Sequence, residues 1–232
     1  RAAVVATTKN CRDIKSYYPE APSGKYQVYG RANFSFSAFC DMTSDGGGWT
    51  IVNSVSGGDG EQPIVSNTEA LTGNPFLSQA FNLNRVKKLA LNSGAAETII
   101  AKPNNGTWIK MSSSPFDANL TSTSNYHVDK PVIITANDGT TTEGYMGYSN
   151  YGISGGGDFG VTNSSGFDHH DSGTVYHHLN SGCGNSFLYS YSAGAGDGDA
   201  GYDVNTPLGT WTATHGCEWA DGGMSPFYLG IR

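Results

Sequence analysis

The sequence predicts an α+β domain in which short strands dominate and helices are few and short. Three observations carry that prediction. Runs that alternate at period two fill much of the first half. Two stretches with helical spacing and capping residues interrupt them. After about residue 136 the regular signal gives way to glycine, asparagine, serine and tyrosine with short strand candidates between them.

Taken in order, Asn10 or Asp13 can cap a short helix through Ile14 and Tyr17, closed by Pro19. Tyr26-Gln-Val-Tyr29 and Phe34-Ser-Phe-Ser-Ala-Phe39 alternate as half-buried strands do, and Trp49-Thr-Ile-Val52 follows a Gly46-Gly-Gly48 turn as a buried strand. A second helix is expected from Ser78 to Asn92. Ser78 would be its cap, Phe81, Val86, Leu89 and Ala90 its apolar face, and Gly94 its terminator. Arg85, Lys87 and Lys88 would suit its dipole. Strands follow at Thr98-Ile-Ile-Ala101, Thr107-Trp-Ile-Lys-Met111 and Val132-Ile-Ile-Thr135, then at Ser186-Phe-Leu-Tyr-Ser-Tyr191 and Phe227-Tyr-Leu-Gly-Ile231. A long irregular stretch holding many aromatics reads as loops pinned by ligands, disulfides or metal.

With 232 residues, 27 aromatic side chains and no Pro/Ser/Gly linker, the chain is expected to form one domain over residues 1–232. It divides into a first part at 10–52, a central part at 53–135 and a loop-rich part at 136–232. No apolar run is long enough to span a bilayer, and no apolar signal region follows Arg1, which reads as a processed chain. Four cysteines fit two disulfides. With the sequons Asn33-Phe-Ser35, Asn105-Gly-Thr107, Asn119-Leu-Thr121 and Asn163-Ser-Ser165, they favour a secreted glycoprotein. A net charge of −7 without a basic stripe argues against nucleic acid and anionic membranes as partners.

Charge is unevenly placed. Between Pro131 and Ile231 there is no lysine or arginine, yet the stretch holds ten carboxylates, five of the six histidines and 21 of the 32 glycines. Carboxylates with no protein cation available must face water, collect hydrogen bonds or bind a metal. Among glycine-rich turns, calcium is a candidate.

The segment from Cys11-Arg-Asp-Ile14 through Pro22-Ser-Gly-Lys-Tyr26 to Phe39-Cys-Asp-Met-Thr-Ser-Asp-Gly-Gly-Gly-Trp-Thr-Ile-Val52 resembles the opening of fibrinogen-like domains. That family includes ficolins, fibrinogen-like tachylectins and, more distantly, intelectins. Ser225-Pro-Phe-Tyr-Leu-Gly-Ile-Arg232 is similar to the family's last strand, and Gly157-Asp-Phe159 with Ser165-Gly-Phe-Asp168 resembles late loops of intelectins. The resemblance implies small twisted antiparallel sheets, a Cys11–Cys40 disulfide and a metal-stabilised, loop-rich second half. It also implies pairing of Cys183 with Cys217, although these lie 34 positions apart, where the family's last pair closes a short loop. The family's G-F-G run followed by a W-L-G-N strand is absent, and residues 55–150 do not align with its pattern by eye.

Three groups are candidate sites. In Gly196-Asp-Gly-Asp-Ala-Gly-Tyr-Asp203, Asp197 and Asp199 alternate with glycine and Asp203 follows, a donor set for calcium or, in the plain reading, an acidic surface turn. It is not an EF-hand, since the bidentate glutamate at position 12 is missing. Asp168-His-His-Asp171 with Tyr176-His-His178 offers a second calcium site through Asp168 or Asp171, a zinc site, or surface histidines. Neighbouring histidines on a strand point to opposite faces, which weakens zinc. His215, Glu218 and Trp219, with Tyr202 near, supply the aromatic face and polar groups that a sugar needs, next to Cys217 where the resemblance implies the ligand pocket. The plain reading makes Trp211 and Trp219 core residues.

Motifs for nucleophilic hydrolysis, zinc proteolysis or nucleotide binding are absent, and no enzyme is expected. The expectation is a secreted, calcium-dependent lectin that recognises glycans or acetylated groups in innate recognition and gains avidity as a homo-oligomer. The alternative is a protein-binding module in which calcium serves stability alone.

Overall fold

The structure, a computed structural model, describes residues 8–29, 34–55, 72–91, 95–103, 106–113, 128–150, 157–162, 168–169, 175–176, 186–190, 201–202 and 227–232. From 145 to 202 it is the backbone that is described. The expected α+β character is present, but with sheet far outweighing helix.

Helix α1 spans Cys11–Tyr17. Extended Asn10 caps it, its side chain accepting from the Asp13 N–H at 3.0 Å, while the Asp13 carboxylate accepts from the Lys9 N–H at 2.7 Å. Both capping candidates are therefore used, each for a donor the first turn leaves over. Cys11 and Ile14 form its buried face, and the Cys11 N–H donates to Thr50 Oγ1. Cys11 and Cys40 are disulfide-bonded with Cα atoms 5.5 Å apart, as the resemblance implies.

Strands β1 (Gly24–Tyr29), β2 (Ser35–Asp41) and β3 (Trp49–Val55) form an antiparallel meander. The second helical expectation needs correction. A 3-10 turn at Pro75–Leu77 ends at Ser78, which is left-handed (φ 56°) rather than a helix cap. Phe81–Asn82 then form a short strand, β4, on β3. Helix α2 is only Arg85–Leu91, with the Asn84 side chain accepting from the Lys87 N–H at 3.0 Å. Its inward residues are Lys88 and Leu91, whereas Val86 is exposed. Left-handed Ser78, the pairing of Phe81–Asn82 with β3 and the capping Asn84 break what apolar spacing alone reads as one helix.

Strands β5 (Thr98–Ala101), β6 (Trp108–Met111), β7 (Val128–Ala136), β8 (Thr141–Asn150) and β9 (Gly157–Thr162) continue the structure. A small two-stranded sheet pairs β10 (Asp168–His169) with β11 (Val175–Tyr176). Strands β12 (Ser186–Ser190), β13 (Gly201–Tyr202) and β14 (Phe227–Ile231) complete the set. In place of several small sheets, twelve strands form one antiparallel sheet in the order β1-β2-β3-β14-β5-β6-β7-β8-β9-β12-β13, with β4 as a spur on β3. The long β8 escapes sequence reading because Gly144 and Gly147 interrupt its alternation. Ladders to β7 and β9 on both sides hold it.

The core is centred on β3, β14 and β5, where Trp49, Ile51, Val52, Ile99, Ile100, Leu229 and Ile231 are all buried. Strand β14 is buried along its whole length, as expected of a strand covered on both faces. Trp49 donates its indole N–H to the Ser44 carbonyl at 2.7 Å, so the one polar atom of this large side chain is satisfied. The turn before Trp49 depends on Gly47, whose φ of 79° and ψ of −167° lie in a region essentially reserved for glycine. A Cβ there would lie 2.2 Å from the Met42 carbonyl oxygen, whereas one on Gly46 would meet nothing within 4 Å.

Gly46→Ala should therefore cost about 1 kcal/mol, the ordinary penalty for a left-handed alanine. Gly47→Ala should cost more than about 3 kcal/mol by adding a backbone clash. Urea unfolding of the two variants checks this. Equal losses would show that the turn adapts and that the close approach to Met42 is no constraint.

Candidate functional site

Because every pairing is antiparallel, the register assigns each strand end to one of two ends of the sheet. Asp41, Trp49, Thr98, Met111, Asn150, Gly157, Ser190 and Ile231 lie toward the first end. Val55, Ala101, Thr141, Thr162, Ser186 and Phe227 lie toward the second.

This assignment sorts the candidate residues. Thr162 and Ser186 are register partners at the second end, and the connection between them, 163–185, contains the β10–β11 hairpin, Asp171 and Cys183. Asp168 pairs with Tyr176 across that hairpin. The connection 203–226 also starts and finishes at the second end, from Tyr202 (opposite Leu188) to Phe227 (opposite Val55). It contains Asp203, His215, Cys217, Glu218 and Trp219. Asp197 and Asp199 belong instead to 191–200, which joins Ser190 to Gly201 at the first end. The two-residue strand β13, with Tyr202 in it, lies between Asp199 and Asp203. Asp168 and Tyr202 are placed by their backbone. Asp171, Cys183, Asp197, Asp199, Asp203, His215, Cys217, Glu218 and Trp219 lie outside the described residues.

At the first end, the side chains form a dense charged cluster. Arg232 uses all five guanidinium donors: Nε and Nη2 to Glu97 Oε2 (2.9 and 2.7 Å), Nη2 to Asp45 Oδ2 (2.8 Å), and Nη1 to the carbonyls of Asp45 and Gly47 (2.8 and 3.0 Å). Its guanidinium also stacks 4.0 Å over the Trp49 ring. Lys110 Nζ adds a bond to Asp45 Oδ2 at 2.7 Å. Asp45 stands at φ 47°, which aspartate tolerates better than most residues and which this cluster holds in place. With two acids answered by two bases, the cluster is a structural clasp with no charge left over for a ligand.

Beside it, Asp41 is buried and accepts from the Thr43 and Ser44 N–H groups and the Thr43 hydroxyl, all near 3 Å, and from the Tyr228 hydroxyl at 2.9 Å. Burial opposes its ionisation, but hydrogen bonds from Ser44 and Thr43 outweigh it and hold the carboxyl below the usual carboxylate range. Burial, then the Asp41 charge, pushes the Tyr228 phenol far above its ordinary value. Sequence reading passed over both residues; the aspartate of the Cys40-Asp-Met42 run was the available signal. Lys88 lies in the last turn of α2, as expected of a residue that suits the helix dipole, but its burial was not foreseen. It is buried and donates to Asn82 Oδ1 at 2.6 Å.

The Asp41–Tyr228 pair has a pH signature. Asp41, depressed in the folded state, contributes stability that is present above about pH 4 and lost as pH falls through its lowered pKa. Tyr228 keeps its proton when folded but loses it above about pH 10 when unfolded, so its contribution fades as pH rises past that point. Tyr228→Phe should lower stability by about 1.5–3 kcal/mol at neutral pH, the range for a bond to a charged group. It should also flatten the decline above about pH 10. Urea midpoints across pH check this, and an unchanged alkaline slope would overturn it.

Among the described residues, no helix is long and apolar enough to cross a membrane. Compared with known proteins, residues 7–67 match the family model of the fibrinogen beta and gamma chains, C-terminal globular domain. Among solved structures, the chain is similar to the fibrinogen-like globe domain of human ANGPTL2, at 12% identity and a TM-score of 0.43 over 97% of this chain and 98% of that one. It is also similar to the fibrinogen-like globe domain of human ANGPTL6, at 16% identity and a TM-score of 0.35 over 59% of this chain and 57% of that one. The family match takes in α1, the Cys11–Cys40 disulfide, the Gly46–Gly48 turn and Trp49. Over that segment, about a quarter of its length, the chain is similar to the fibrinogen-like domain family.

Proposed function

We propose that the chain is a secreted, calcium-dependent lectin whose glycan site lies at the second end of the sheet. The observation that carries this reading is topological. Two connections rich in aromatic, histidine and carboxylate residues, 163–185 and 203–226, both begin and end there. They bring one cysteine each, Cys183 and Cys217, which suits a disulfide between them. In this reading Trp219 provides the face for the apolar C–H patch of a pyranose, and His215, Glu218 and Tyr202 provide polar contacts to hydroxyl or acetyl groups.

Calcium enters through the donor set. Asp197 and Asp199 alternate with glycines whose carbonyls add neutral oxygens, and Asp203, Asp168 and Asp171 are further candidate ligands. The residues from 131 to 231 hold no lysine or arginine, so calcium would be the counter-charge. When bound, it would fix loops rather than take part in a reaction. Homo-oligomerisation would multiply weak single-site affinity.

A glycan array run with millimolar calcium and with chelator tests the proposal. Calcium-dependent binding to sugars or acetylated groups is expected. No binding in either condition would sink the lectin reading and leave a protein-binding module. Trp219→Ala should abolish sugar binding with little change in melting temperature, whereas loss of a core tryptophan would cost about 3–5 kcal/mol. Asp197→Asn with Asp199→Asn should remove the thermal shift produced by calcium. An undiminished shift would exclude that loop as the metal site.

A further inference from the structure

Behind β4 lies a polar group that neither the lectin reading nor the charged clasp uses. Asn53 on β3, Asn82 on β4 and Lys88 on α2 are each 1% exposed or less, and Phe81, Leu83 and Leu91, their neighbours in sequence, are buried as well. Asn53 and Asn82 are register partners. Lys88 Nζ donates to Asn82 Oδ1 at 2.6 Å, and Asn53 Nδ2 donates to the same oxygen at 3.2 Å. The neighbouring Lys87 shows what a lysine here ordinarily does: it lies partly exposed, with its ammonium 5.7 Å from the Phe36 ring centroid.

We propose that Lys88 and Asn82 form an intramolecular isopeptide bond, closed by the folded protein itself through attack of Nζ on Cγ with release of ammonia.

Three features of the arrangement favour the step. The first is proximity. With a carbonyl bond of about 1.2 Å, an amine 2.6 Å from Oδ1 lies within about 3.8 Å of Cγ, close to the separation of a near-attack pair. Both groups sit on short elements joined by a few residues, so folding supplies the orientation. The second is the state of the amine. Burial drives the Lys88 pKa well below the ordinary value, toward the neutral, nucleophilic form. The third is the electrophile. The Asn53 amide already donates to Asn82 Oδ1, where negative charge develops as the tetrahedral intermediate forms.

The reaction balances without a co-reactant. The Nζ–Cγ bond forms and the Cγ–Nδ2 bond breaks. A proton from Nζ passes to departing Nδ2, and ammonia leaves. No group is oxidised or reduced, and burial keeps water from competing for Cγ.

Mass spectrometry of the whole chain, produced without glycosylation and reduced under denaturing conditions, tests the proposal. The expected mass is lower than the sequence mass by one ammonia. Trypsin cuts after Arg85 and Lys87, between the two partners, so the bridge should appear as a branched peptide holding Asn82 and Lys88, with cleavage after Lys88 lost. Lys88→Met and Asn82→Ala should each restore the sequence mass. Should either fail to fold, the wild-type peptides still decide. The full sequence mass with normal cleavage after Lys88 would overturn the proposal. So would loss of ammonia with only linear peptides, which marks a succinimide at an asparagine.

Discussion

The five residues of β14 hold the sheet together. β14 lies between β3 and β5, so in the strand order everything from β5 to β13 joins the amino-terminal meander through this strand. A strand that completes a sheet from the far end of the chain makes only long-range contacts. Folding must close a very large loop before those contacts reward it. Such a strand needs anchoring beyond its ladders. Tyr228 provides one anchor by donating to Asp41 across 187 positions, and Arg232 provides the other by donating into the Asp45–Gly47 turn and to Glu97. Lysine could not replace that arginine, because a single ammonium cannot present five donors in one plane while stacking on Trp49.

The clasp also explains how charge is used. Around the first-half strands several basic residues have set partners: Arg232 and Lys110 with Asp45 and Glu97, Lys25 and Lys87 against the Phe39 and Phe36 rings, and Lys88 with Asn82. The cysteine-linked helix, the glycine turn and the carboxyl-terminal strand are thus tied together, with Asp45 and Glu97 answered by cations and Asp41 by neutral hydrogen-bond donors. The second half is different in kind. Its carboxylates have no cation within 131–231, and its connections are long relative to the strands they join.

Much of the first half was legible because its signals are local and agree with one another. Asn10 caps where a helix begins, Trp49-Thr-Ile-Val52 reads as buried, and the cysteine spacing matches a family pattern that the chain carries over residues 7–67. The misread helix at 78–92 shows the limit of periodicity: Phe81 and Val86 suggested one face, but Asn84 restarts the backbone, and the helix turns Lys88 inward and Val86 out. Strand β8 was illegible for the opposite reason. Ladders from neighbours hold it, and such pairings leave little trace in a segment with two glycines. Asp41 and Tyr228 escaped notice because a pair 187 positions apart has no sequence signature beyond its separate halves. For the candidate site, sequence supplied residue types, and strand direction added which of them share an end of the sheet.

That division by sheet end bears on how metal and ligand could act together. Residues 191–200 and 203–226 flank a strand of two residues, about 7 Å of extended chain, so Asp199 and Asp203 leave β13 at opposite ends. Calcium held at Asp197 and Asp199 would fix where β13 begins, and through that short rigid strand where the Trp219 connection departs. The other end of that connection is already fixed by Phe227, the first residue of the clasped β14. A loop held firmly at one end and by a metal-dependent strand at the other can lose its binding geometry without disturbing the core. Loss of that loop's geometry would leave the fold standing, because the strand that carries stability is secured by the hydrogen bonds of Arg232 and Tyr228 to Asp45 and Asp41.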